Sequence, residues 1–173
     1  MLRLHRDDHV RRIAGATRWL VGDTPFVLLR VTPWLPKDKP YWRVVVDGET
    51  GFARHRRFLQ RSGLFWARFT SRRAALASLE AALDQWPKPL PNLQLPRLIR
   101  DGRDYCDPDG HVRVSRCSAL RDGMLVPAWR ITPVSAQASR LPATASWWET
   151  TTLHGAARSV AVHIYPAIAY RHA

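Results

Sequence analysis

The chain has 173 residues, is 46% hydrophobic, and carries 27 Lys+Arg against 14 Asp+Glu for a formal charge of +13. That length holds one well-buried domain or two small ones, the apolar content excludes disorder throughout, and the charge makes an anion the default partner. Two cysteines, Cys106 and Cys117, are too few for the disulfide framework of a small secreted domain, although one bridge is possible.

The first dozen residues are charged throughout and lack an apolar signal region, and no later run approaches membrane-spanning length. A cytoplasmic protein with no membrane partner is the expectation. Residues 7–21 place Val10, Ile13, Thr17 and Leu20 or Val21 at helical spacing behind Asp7 and Asp8, predicting a short helix. Phe26 to Thr32 reads as a strand that stops at Pro33. Tyr41 to Val46 is a second strand, and Asp47-Gly48 signals a turn. Residues 52–59 (FARHRRFL) then read as a returning strand, and Ser62-Gly63 turns the chain into LFWARF at 64–69. Thr70 can cap the helix that follows, whose Leu76, Leu79, Leu83 and Trp86 share one stripe.

The fold class expected is therefore α+β, with an antiparallel three-stranded sheet packed on one helix and a mostly β region after it. Four prolines within residues 87–96 mark a linker between a basic region at 1–86 and the β region at 97–173. In the latter, residues 107–110 (DPDG) and Asp122-Gly123 signal turns, and SVAVHIY at 159–165 reads as a late strand ending at Pro166.

The basic residues are nearly all arginine, since lysine stands only at positions 37, 39 and 88. Arginine's planar fork suits phosphate and guanine edges, and a GC-rich genome also favours arginine codons; both readings stay open. The distribution is more telling than the total. No acidic residue lies between Thr50 and Leu79, while Arg54, Arg56, Arg57, Arg61, Arg68, Arg72 and Arg73 fall inside that span together with His55. Surfaces ordinarily mix signs, and so many like charges repel unless an anion screens them. In a strand, alternation sets Arg54 and Arg56 on one face and His55 and Arg57 on the other. Arg72 and Arg73 open a helix, where positive charge opposes the helix dipole and free backbone amides bind phosphate. Aromatic residues interleave with this run at Trp42, Phe52, Phe58, Phe65, Trp66 and Phe69. Most are expected in the core, and Trp66 is the candidate for stacking on a base.

The segments Trp42-Arg43-Val44-Val45-Val46, Arg54 to Arg57, and Phe69-Thr70 through Ala74 to Leu83 follow one another as a basic sheet and then a helix beginning F-T-x-x-x-A-x-x-x-L. This order, over residues 41–86 only, resembles the arm-binding modules of tyrosine integrases and AP2-like DNA-binding domains. Such families lay their sheet in the DNA major groove, so the resemblance implies contacts from Arg43, Arg54, Arg56 and Arg68. No recombinase catalytic domain is recognisable downstream.

Cys106, His111 and Cys117 form C-x4-H-x5-C without the usual C-x2-C knuckle or an obvious fourth ligand, His154 and His163 being distant candidates. Asp107, Asp109 and Gly110 share part of a calcium loop, but Tyr105 and Arg116 occupy its first and twelfth positions. No hydrolase elbow, phosphate loop, dinucleotide fingerprint or zinc-protease motif is present. No catalytic residue, metal or cofactor is therefore expected. The sequence points to a non-enzymatic nucleic-acid-binding accessory protein or nucleoprotein subunit, with DNA favoured over RNA, gripping phosphate through an arginine-rich hairpin. The alternative is an interaction or inhibitor protein of a mobile genetic element, for example one directed against host defence. Its basic face would block an acidic or nucleic-acid-binding site on a protein target.

Overall fold

The computed structural model describes residues 2–6, 17–33, 38–48, 52–121, 123–136, 138 and 148–169. The chain divides into two compact units that meet in sequence between Asn92 and Leu93, within the proline-rich segment.

In the first unit, β1 (Leu4–Arg6), β2 (Thr17–Val21), β3 (Phe26–Val31) and β4 (Tyr41–Val46) form an antiparallel sheet in chain order. β3 is the hub of the register: Leu28 lies opposite both Trp19 and Val44. Residues directly opposite share a face, so Trp19, Val21, Phe26, Leu28, Val44 and Val46 make one apolar surface. Two helices, α1 (Ala53–Arg61) and α2 (Arg72–Asp84), supply Phe58, Leu59, Ala75 and Leu79 to the core formed on it.

This departs from the three-stranded sheet on one helix that the sequence led us to expect. Residues 17–21 form β2 rather than the end of a helix; the rest of that expected helix lies outside the described residues. Their alternation explains the outcome, because Trp19 and Val21 face the core while Arg18 turns away to bind Asp47 at 2.7 Å. Of residues 52–59, expected as a strand, Phe52 is the N-cap of α1 and the rest lie in the helix. Among the described residues, 64–69 contribute one bridge, in which Phe69 and Trp42 exchange backbone hydrogen bonds of 2.8 and 2.9 Å. The cap of α2 is Ser71, whose hydroxyl accepts from the Ala74 amide at 3.1 Å, and not Thr70.

The second unit is built on an antiparallel sheet of five strands, β5 (Ile99–Asp101), β6 (Asp104–Cys106), β7 (Val112–Arg121), β8 (Met124–Pro133) and β9 (Glu149–Thr150). Asp107 fixes the β6–β7 turn: one carboxylate oxygen accepts from the Val112 amide at 2.8 Å and the other from the Tyr165 hydroxyl at 3.0 Å. Burial and that hydrogen bond push the Tyr165 hydroxyl well above its ordinary value of 10.0.

The expected strand at 159–165 is instead helical. Helix α3 (Leu153–Ser159) runs through a π-helical turn (Val160–Ile164) into α4 (Tyr165–Ala169), capped at its start by Thr152, which accepts from the Gly155 amide at 2.9 Å. β-branched residues cost a helix only a few tenths of a kcal/mol each, and burial of Val160, Val162 and Ile164 outweighs that. The π turn precedes Pro166, whose ring would crowd the carbonyl four residues back in a regular α-helix.

Candidate nucleic-acid interface

Why residues 53–61 coil is visible in which side chains they bury. His55, Phe58 and Leu59 fall at i, i+3 and i+4, and they are 2%, 0% and 1% exposed. Phe58 sets its ring edge-on to Trp86 and tilted against Phe26, with centroids 5.0 and 5.5 Å apart. His55 packs between Phe26 and Phe52 and places Nε2 3.0 Å from the Pro91 carbonyl, to which it donates as the Nε2-protonated tautomer. Burial pulls the His55 imidazole below its usual 6.5, with the Pro91 bond acting in the opposite direction. Gly63, at φ +75°, turns the chain out of the helix at a backbone angle that favours glycine.

Burying that stripe fixes what points outward. Arg54, Arg57 and Arg61 stand at i, i+3 and i+7 on the exposed side, within one arc of the helix surface. No ion pair holds any of them among the described residues. The helix thus groups Arg54 with Arg57, where strand alternation would have paired Arg54 with Arg56. Arg56 lies at the margin, donating to the Gly48 carbonyl at 3.3 Å.

The remaining predicted site residues divide into three kinds. Trp66 is 77% exposed, with its ring edge-on to Phe65 at 4.7 Å, whereas Trp42, Phe65 and Phe69 pack against the core. Arg68 and Arg72 rest on the faces of Tyr41 and Trp19, 4.7 and 3.8 Å from the ring centroids, which holds their guanidinium planes while leaving the charge in place. Arg73 is exposed. Arg43 is committed locally, donating to the Phe65 carbonyl at 2.9 Å, and His55 belongs to the core. The sequence carried the signal for the helical stripe in the spacing of His55, Phe58 and Leu59. It was masked because Phe52 and Phe58, six apart, also fit a strand.

No family model, curated protein or solved structure matches this chain.

The possible metal ligands in the second unit are dispersed. Cys106 lies opposite Arg113, four residues before Cys117 along β7, a span of roughly 13 Å at the rise of a strand. Both cysteines are free, burial pushes the Cys117 thiol up, and the His111 ring is 3.0 Å from the Ser135 hydroxyl. No group of three potential ligands forms among the described residues. The Ser135–His111 contact is not extended by Asp107, whose carboxylate is turned to Val112 and Tyr165. Asp101 and Asp104 flank Arg113 at 3.9 and 4.0 Å, and Glu149 binds Arg130 at 2.8 Å.

Proposed function

We propose that this chain is a non-enzymatic nucleic-acid-binding protein, an accessory factor or subunit of a nucleoprotein complex, that grips phosphate with one face of α1. The observation that carries this reading is the outward stripe of Arg54, Arg57 and Arg61, exposed and without an ion pair among the described residues, inside a sequence span that has no acid. Arg68, Arg72 and Arg73 extend the charge, and Trp66 offers a ring on which a base can stack. DNA is favoured over RNA. The grip is helical rather than the hairpin that the sequence led us to expect.

The test is binding of labelled duplex DNA, single-stranded DNA and RNA over a salt series. Replacing Arg54, Arg57 and Arg61 together with Ser is expected to lower the log–log salt slope by about 2 to 3, since each phosphate contact contributes about 0.7–0.9. The circular dichroism spectrum should not change, because none of the three side chains enters the core. Absence of binding near physiological salt, or unchanged affinity in the triple variant, would overturn the proposal. An exposed tryptophan among arginines is also the composition of a protein-interface hot spot. A stoichiometric protein partner that survives nuclease treatment, found alongside absent nucleic-acid binding, would transfer the function to that interface.

A further inference from the structure

The second unit has its own arginine cluster, built on a different principle and independent of the reading above. In the sheet register Tyr105 lies opposite Val114, and Val114 opposite Ile131; Arg116 and Trp129, a register pair, lie two positions on in β7 and two positions back in β8. All five therefore share one face of the sheet, as does Arg100, the register partner of Tyr105. At one end this face is buried: Val112, Val114 and Ile131 pack with Ala156 and Val160. At the other it opens into a concavity of about 540 Å³ lined by Arg100, Arg103, Asp104, Tyr105, Arg116 and Trp129. That size is within the range of about 300–1,000 Å³ typical of sites for small organic ligands.

The chemistry of the lining is selective. Tyr105 and Trp129 meet edge to face with centroids 5.5 Å apart, and the Arg116 guanidinium lies 5.2 Å from the centre of the Trp129 ring. These are planar surfaces for a planar ligand. Three arginines surround them. Among the described lining residues the one acid is Asp104, which has a carboxylate oxygen 4.0 Å from Arg113, so it neutralises the cluster only in part. Arg100 uses Nε on the neighbouring Gly102 carbonyl at 3.2 Å, which leaves its terminal nitrogens for another acceptor, and Arg103 has no ion pair among the described residues. Flat aromatic surface beside unneutralised guanidinium groups, in one concavity of this size, matches a planar base joined to a phosphate.

We infer that the concavity formed by Arg100, Arg103, Tyr105, Arg116 and Trp129 is a nucleotide-binding site that receives a base against its aromatic and guanidinium planes and a phosphate on its arginines. The nucleotide comes either free or as one residue of a single strand.

Titration calorimetry on the full chain tests this with adenosine 5′-monophosphate, adenosine and inorganic phosphate as separate probes. The nucleotide should bind at least about tenfold more tightly than adenosine or phosphate, because only it engages both parts of the site. Arg103→Ser and Arg116→Ser, both at exposed positions, should each weaken it by about tenfold with an unchanged circular dichroism spectrum. A tetranucleotide of deoxyadenosine separates the sources: tighter binding than the mononucleotide identifies a strand, and equal or weaker binding identifies free nucleotide. The Arg54/Arg57/Arg61 triple variant should bind the mononucleotide as the parent does, so this site and the α1 surface can fail separately. No saturation by millimolar nucleotide, phosphate binding as tightly as the nucleotide, or unchanged binding in both single variants would overturn the inference.

Discussion

In the five-stranded sheet, Arg130 donates through Nε and a terminal nitrogen to the carboxylate of Glu149, its register partner, at 3.1 and 2.8 Å, and Arg113 reaches Asp101 and Asp104. In α1, Arg54, Arg57 and Arg61 stand on one stripe, within a sequence span from Thr50 to Leu79 that has no acid. Both units are rich in arginine, so a codon habit accounts for the residue type in each; it does not account for the difference in partners. Where arginine and carboxylate sit in register across a sheet, the charge is spent on holding the sheet. Where acids are absent over a whole helix and turn, the charge has no ion pair among the described residues. The open face near Trp129 shows that the contrast holds within the second unit too, since Arg113 is matched while Arg100, Arg103 and Arg116 have no ion pair among the described residues.

Each unit can be perturbed through its own core. Phe58→Ala removes the side chain that seats α1 against Phe26 and Trp86, and should destabilise the first unit by about 3–5 kcal/mol. Urea titration followed on amide signals from β3 and β7 separately would check this, and the β3 signals should carry the loss. Tyr165→Phe should cost about 1–3 kcal/mol in the second unit by leaving one oxygen of buried Asp107 without its donor. In the parent, stability of that unit should fall as pH rises above about 10, because unfolded Tyr165 ionises there while the folded hydroxyl, its pKa raised, stays protonated. The smallest effect belongs to His55. Its folded pKa lies below 6.5, so its contribution is complete above that pH and declines as pH falls through the depressed value. The same β3 signals measured between pH 7 and pH 5 should show this decline in the parent and not in His55→Phe.

Much of the architecture was legible because local signals agreed. Phe26 to Val31 and Tyr41 to Val46 combine β-forming residues with nearby proline or Asp-Gly punctuation, and Leu76, Leu79 and Leu83 repeat at helical spacing over enough turns to be unambiguous. The two main misreadings share one cause. Residues 53–61 and 153–169 contain short runs that fit either period, and the decision was made by what the sheet had left to bury. In the first case it was Phe58 and Leu59; in the second it was the whole set of Ala156, Val160 and Ile164. Such choices depend on long-range packing that no window of sequence contains. The candidate contact residues were found as a charge run, but their grouping required knowing that α1 is a helix. Nothing in the sequence marks Arg100, Arg103 and Arg116 as one cluster, because the register that gathers them around Trp129 links β5 to β8 across some thirty residues of chain.

The π-helical turn at Val160–Ile164 gives the second unit a sensitivity to chain length as well as to chemistry. Its defining bond runs from the Tyr165 amide to the Val160 carbonyl, one residue wider than an α-helical step. Deleting a single residue within the turn would let the helix close to the regular pitch, and everything beyond would rotate by about 100°. Tyr165 would then swing off the turn that Asp107 organises, so a one-residue deletion here would disturb the β6–β7 connection some fifty residues earlier in the chain. The extra residue acts as a spacer that sets the phase of the terminal helix against the sheet.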